Sequence, residues 1–345
     1  MIREAIGALV GGGGLDEAAA AEVMAEVMRG EATPAQVAGF LIALRLTGAE
    51  SAAVLAGAAR AMRDAATPVP ARSRPLVDTC GTGGDGRSTF NVSTVAAFVV
   101  AGAGQPVAKH GNRAASGRSG GADCLERLGV RLEVDAADAA RAIDDVGIAF
   151  LFAPSFHPSM RHVAPVRREL GVRTVMNLLG PLTNPAGADR QVVGVSSPEH
   201  LPLVAEALAR LGTAHALVVH DRSGCDEITP VAPADAVEVR DGRLVPQVID
   251  PRALGVAPCD LDDLTVADAD ASASVARSVL AGERGPARDT VLLNAAAALY
   301  VAGRAEDLRE GMALAARSLD SGAAAERLEA LRRFVSLAGS GERAV

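Results

Sequence analysis

Residues 77–100 read VDTCGTGGDGRSTFNVSTVAAFVV: a short apolar run, six residues with four glycines, then an alanine- and valine-rich segment. The order is strand, loop, helix. Glycines at 81, 83, 84 and 86 let backbone N–H groups converge without a Cβ in the way, and the following helix adds the positive end of its dipole. The stretch reads as an anion cradle at a strand end. Its six central residues also satisfy G-x-G-x-x-G, but the dinucleotide fingerprint requires an acidic residue about 20 positions on. Here the chain supplies Lys109-His110-Gly111-Asn112-Arg113, a cationic loop suited to more phosphate rather than to a ribose hydroxyl. No Gly-Lys-Ser/Thr follows the glycines, so a P-loop lacks its lysine.

The 345 residues are 49% hydrophobic, enough for two compact units or one large unit with an appendage. A formal charge of −8 argues against a nucleic-acid or membrane-surface binder, and it makes the basic residues near 109–118 a local feature. Cys80, Cys124, Cys225 and Cys259 are far apart and form no C-x-x-C pair, which predicts neither a zinc site nor a disulfide framework. The first residues, MIREAI, lack the apolar core of a secretory signal, and no apolar run reaches the ~18 residues of a membrane span. A soluble, cytoplasmic protein is expected.

Up to about residue 66 the chain reads as helices. Thr33-Pro34-Ala35-Gln36 is a capping box with proline at the first helical position, and Val37, Phe40, Leu41 and Leu44 form one apolar stripe. Gly48 ends that helix. Ser51 caps the next, whose apolar side carries Leu55, Ala58, Ala59 and Met62. So small an all-helical unit exposes apolar faces, which makes a homodimer through it plausible. Three prolines in 67–75 then read as a stiff connector and a domain boundary. From Leu76 strands alternate with helices, with apolar runs at Pro106–Ala108, Ile148–Phe152, Gln191–Val195 and His215–His220. That rhythm predicts a mainly parallel sheet with binding loops beyond its strand ends. Residues 162–186 break it with two helices that are expected to return to the helical unit. The expected division is a helical domain at 1–71, with 166–186 rejoining it, and a large α/β domain at 72–165 and 187–345. The tail from Arg288 reads as helix with structural roles.

Three loops carry the chemistry. Lys109–Ser119 supplies cations, two serines and an amide after the second strand, a polyanion site. Asp226-Glu227 follows the strand at 215–220. Two adjacent carboxylates repel unless a cation lies near, and Mg²⁺ takes one or two carboxylates plus substrate phosphates. Ser93 can add an oxygen. The 91–94 segment serves either as ordinary helix caps or as phosphate ligands. Taken alone, His157 and Arg167 read as surface or packing residues.

The blocks GTGGDG, FNVST, KHGNR and DE, with GEATPAQVAGFLIALR, HVAPVRRELG and NLLGPLTNPAG, resemble anthranilate phosphoribosyltransferases in this order from about residue 20 to about 335. The resemblance implies an α/β fold of the nucleoside phosphorylase/phosphoribosyltransferase kind, a small helical domain plus a large domain with a mainly parallel sheet, dimerising through the small one. It implies displacement of pyrophosphate from 5-phosphoribosyl 1-pyrophosphate by the amino group of anthranilate, in tryptophan biosynthesis. Residue by residue, it implies a donor site of Gly81, Gly84, Asp85, Thr89, Asn91, Val92, Ser93 and Thr94. To these it adds Lys109, His110, Gly111, Asn112, Arg113, Ala114, Ala115, Ser116, Gly117 and Gly121. Ser93, Asp226 and Glu227 would serve magnesium, as two ions. Gly81, Asn112 and Arg167 would meet anthranilate, with Arg167 on its carboxylate and His110 nearby. Lys109 would stabilise the leaving pyrophosphate. No covalent intermediate and no strong general base are expected.

The chain departs from that pattern at Gly117 and Gly121, where serines are usual, and at Asp221 and Cys225 before the acidic pair. Backbone N–H groups can replace a missing hydroxyl at a phosphate. A pyrimidine nucleoside phosphorylase shares the two-domain plan but uses no metal pair, so the acidic pair and Arg167 favour the transferase. A related aromatic amine is a second possible acceptor. A non-catalytic nucleic-acid binder would need a basic groove that a charge of −8 does not suggest.

Overall fold

The computed structural model describes residues 1–114 and 118–340. Four helices come first: α1 (Ile2–Val10), α2 (Glu17–Met28), α3 (Pro34–Thr47) and α4 (Ala52–Asp64). The expected punctuation is present. Thr33 Oγ1 accepts from Gln36 N at 3.3 Å, and Gln36 Oε1 accepts from Thr33 N at 2.8 Å. Gly48 closes α3 in the left-handed region, and Ser51 caps α4 through Val54 N. Helices α2 and α4 approach closely at Gly57, where a Cβ would lie 2.1 Å from Glu17 O.

The rest of the chain builds one seven-stranded sheet. Its elements are β1 (Val77–Gly81), α5 (Val92–Gly102), β2 (Val107–Gly111), α6 (Gly121–Arg127), α7 (Ala136–Arg141), β3 (Ile148–Phe152), α8 (Ala153–Phe156), α9 (Ala164–Leu170) and α10 (Met176–Leu179). There follow β4 (Arg190–Gly194), α11 (His200–Arg210), β5 (His215–Asp221), β6 (Ala234–Arg240), β7 (Arg243–Ile249) and four helices, α12 (Ala269–Leu280), α13 (Pro286–Val301), α14 (Leu308–Asp320) and α15 (Ala323–Ser340). The strand order is β3-β2-β1-β4-β5-β6-β7; the first five are parallel and the last two antiparallel.

Side chains alternate between the two faces with the period of two that a strand dictates. Val192, Leu217 and Val219 join the core beneath α5 and α13, two helices buried along most of their length. Val193, Ala216 and Val218 face the other way and share a core with α1–α4 and α11. Val163, Val166, Val175, Met176 and Leu179, from the segment around α9 and α10, lie in that second core. The helical layer is thus packed on one face of the sheet. The β6–β7 hairpin stands outside the parallel rhythm. Asp241 and Gly242 turn it at φ +50° and +76°, an Asp-Gly two-residue turn whose twist matches the strands. No helix among the described residues is long and apolar enough to cross a membrane.

Candidate active site

From β1 the chain winds outward through β2 to β3, then returns through β4 on the other side of β1, so the sheet reverses direction of growth at β1. Open parallel sheets bind ligands beyond the carboxyl ends of strands at such a point. Here a cavity of about 520 Å³ lies there, lined by the glycine loop after β1, the loop after β2, the 226–227 turn after β5, and α9.

One end of the cavity is built for anions. Helix α5 begins on it without a side-chain cap: Asn91 instead accepts from Ser119 Oγ at 2.6 Å and Ser272 Oγ at 2.8 Å. In the first turn of α5, Val92 N donates to Phe90 O and Thr94 N to Asn91 O, and the Ser93 N–H, without a partner among the described residues, is kept for a ligand. Thr94 Oγ1 is buried beside it and has no partner among the described residues. It lies 2.8 Å from where a Cβ on Gly121 would sit, which leaves little room for a serine there. Lys109 reaches this end from β2, with Nζ donating to Thr79 O and, at 3.2 Å, to Ser93 Oγ. Burial lowers its pKa, opposed chiefly by the charge of Asp78. Asp78, inside β1, accepts from His110 N at 3.1 Å and from Asn184 Nδ2 at 2.8 Å; burial pushes it up to about 6.

Opposite Lys109, one carboxylate oxygen from each of Asp85, Asp226 and Glu227 lies within 4.8 Å of the others. Burial, then the charge of Asp85, pushes Asp226 up to about 6; burial, then Asp226, raises Glu227 further. Asp85 Oδ2 is buried without a partner among the described residues. Three crowded oxygen donors, one of them orphaned and two with raised pKa values, fit a hard divalent cation. Protons and cation compete for the same oxygens, so metal affinity must weaken as pH falls through 6. We expect millimolar Mg²⁺ to raise the melting temperature more at pH 8 than at pH 5.5, as thermal denaturation would show. The sign follows because raised carboxylate pKa values stabilise the metal-free fold at low pH and destabilise it as pH rises.

The cavity is also lined by Arg167, from α9. Its guanidinium is half-buried, and no carboxylate pairs with it among the described residues; burial lowers its pKa. His110 is pushed down to about 3 by burial and by His157, whose ring centroid is 5.0 Å away. A neutral His110 must donate from Nδ1 to Gly180 O, at 3.2 Å, which leaves Nε2 an acceptor without a partner among the described residues.

Most of the expected site residues meet in this cavity, with particular placements. Asp85 stands with the acidic pair, and Ser93 stands against Lys109. Arg113 lines the cavity and also pairs with Asp123 at 2.9 Å and Glu126 at 2.6 Å. Val92 points its side chain into the core, away from the cavity. Ala115, Ser116 and Gly117 lie outside the described residues. Gly81 lines the cavity beneath Asp226, whose Oδ2 lies 2.8 Å from where its Cβ would be. Asp221, one of the departures, is buried and accepts from Ser223 N at 2.8 Å and Thr229 Oγ1 at 2.7 Å, so it braces the turn that carries the acidic pair.

Residues 3–66 match the helical bundle domain, and residues 73–325 the a/b domain, of the glycosyl transferase family. The anthranilate phosphoribosyltransferase of Moorella thermoacetica is 51% identical over 335 residues, 97% of this chain and 98% of that protein. The chain belongs to the anthranilate phosphoribosyltransferases. Among solved structures, the family member from Thermus thermophilus superposes with a TM-score of 0.91 at 49% identity, covering 96% of this chain and 99% of that one. The Saccharomyces cerevisiae member, solved in complex with PRPP and Mg, gives 0.89 at 28% identity, covering 97% and 98%. It has also been solved with 4-fluoroanthranilate.

Two features of the site escaped the sequence reading. Asp78 is an acidic residue inside an apolar strand, VDTC, and that mismatch was its visible signal. Arg173 grips the glycine loop from the segment after α9, and nothing in its local sequence points there.

Proposed function

We propose that this chain transfers the phosphoribosyl group of 5-phosphoribosyl 1-pyrophosphate to the amino group of anthranilate, in tryptophan biosynthesis. The observation that carries this reading is a single cavity that brings together an anion cradle, an acidic trio and an unpaired, half-buried guanidinium. The acidic trio and Ser93 would hold magnesium, as two ions, which when bound neutralises charge on pyrophosphate oxygens. The uncapped start of α5 and the glycine loop bind the donor's phosphates, and Lys109 faces the charge that develops as the C1–O bond breaks. Arg167 orients the acceptor through its carboxylate, which brings the amine to C1. The N–C1 bond forms, pyrophosphate leaves, and the amine's surplus proton passes out with it. Neutral His110 offers Nε2 as an acceptor in the same cavity. Positioning and electrostatics suffice, since an aromatic amine is already a nucleophile.

Loss of anthranilate fluorescence in purified protein tests the reaction. Consumption is expected only with both the donor and magnesium present; consumption without the donor would refute it. Arg167→Ala is expected to raise the anthranilate KM by one to two orders of magnitude, roughly the worth of a lost charge-assisted bidentate bond, with the donor KM little changed. An unchanged anthranilate KM would remove Arg167 from the acceptor site. We also propose a cytoplasmic homodimer through the helical layer, where Val10 and Leu46 are 75% and 80% exposed. Light scattering on the purified chain measures that directly.

A further inference from the structure

Arg173 lies between α9 and α10, exposed, at the rim of the cavity. Its Nη1 donates to Gly84 O at 2.6 Å, and its Nη2 donates to Gly83 O at 3.0 Å and to Ser196 Oγ at 2.9 Å. Gly83 and Gly84 both adopt left-handed φ, +63° and +73°, a turn that brings two successive carbonyls to one guanidinium. A trans peptide unit carries its C=O and N–H in opposite directions. Fixing the Gly83 and Gly84 carbonyls on Arg173 therefore turns the N–H groups of Gly84 and Asp85 away from it. Neither N–H has a partner among the described residues. The preceding N–H, of Gly83, donates to Asp226 Oδ2 at 3.0 Å, so the loop is pinned from two sides.

We infer that Arg173 is a positioning residue for the donor: its fork holds the glycine loop so that the Gly84 and Asp85 N–H groups meet pyrophosphate oxygens. This rests on the reaction proposed above. It also ties the glycine loop to the segment that follows α9, the helix that carries Arg167. A lysine keeps the charge but cannot span two carbonyls and a hydroxyl with a planar fork.

The test compares Arg173→Lys and Arg173→Ala with the unaltered full chain. Calorimetry gives the Kd of magnesium pyrophosphate, steady-state kinetics the KM of each substrate, and thermal denaturation the stability. Both variants are expected to bind pyrophosphate roughly tenfold more weakly and to raise the donor KM, with anthranilate KM and melting temperature unchanged. A lysine variant that binds pyrophosphate as tightly as the unaltered chain would overturn the inference, since charge alone would then suffice. So would a parallel loss of anthranilate affinity and stability, which marks a merely structural contact. If the unaltered chain binds pyrophosphate yet consumes no anthranilate, the proposed reaction fails, and the pyrophosphate affinities of the variants still decide the role of Arg173.

Discussion

Glu227→Gln is expected to lower kcat/KM by at least about a hundredfold while leaving the metal-free protein as stable as before, or more so. The substitution keeps the shape and removes one charge. Glu227 sits beside Asp226 and Asp85 in a half-buried trio, where burial first and then repulsion from the other two carboxylates raises its pKa. Without a cation that repulsion is a cost to the fold, and an amide relieves it. With a cation the same charge is what binds, so its loss weakens the metal and the pyrophosphate that shares it. Thr89 Oγ1 lies 3.3 Å from Glu227 Oε2 and can hold an amide oxygen as well as a carboxylate, so the local fold is kept. Melting temperature and magnesium-titrated turnover, measured on one preparation, separate the two effects. A variant that melts far below the unaltered chain would show Glu227 to be a structural ion-pair partner. A variant with an unaltered magnesium response would remove it from the metal site.

The parts of this molecule that local rules determine were legible in the sequence. Thr33, Gly48 and Ser51 mark helix ends because caps depend on one or two neighbouring residues. The glycine loop and the acidic pair were legible for a similar reason: each is a short run whose chemistry is unusual for its place. The β6–β7 hairpin was missed although its Asp241-Gly242 turn is a strong local signal, because the parallel rhythm before it dominated the reading. The departures at Asp221 and Gly121 needed three dimensions. Asp221 is explained by Thr229, eight residues on, and Gly121 by Thr94 on another helix. Arg113 illustrates the limit from the other side. Its place in a cationic loop suggested phosphate, and it does line the cavity, but its ion pairs with Asp123 and Glu126 on the next helix were not visible, since only the fold brings them within reach.

Gly194→Ala is expected to cost roughly a hundredfold in kcat/KM, the effect of misplacing a catalytic constellation by about an ångström. Gly194 ends β4 directly opposite Gly81 at the end of β1, and the turn carrying Asp226 lies across both. A Cβ on Gly194 would sit 1.6 Å from Asp226 O, and this is backbone that cannot rotate aside. The turn cannot simply swing out either. Asp221 ties it at one side, and Asn294 at the other, accepting from Ile228 N at 3.2 Å and donating to Ile228 O at 2.8 Å. The displacement therefore falls on Asp226, and through Gly83 N on the glycine loop. Overpacking of this kind also costs about 1–3 kcal/mol of stability. Gly7→Ala is the control: a Cβ there meets nothing within 4 Å, and alanine in an exposed helix position should stabilise by up to about 1 kcal/mol without touching turnover. Paired measurements of melting temperature and magnesium affinity on the two variants discriminate the causes. If Gly194→Ala destabilised the fold but kept the magnesium affinity of the unaltered chain, the strain would have been absorbed in the sheet, and the paired glycines at 81 and 194 would not be what seats the acidic turn.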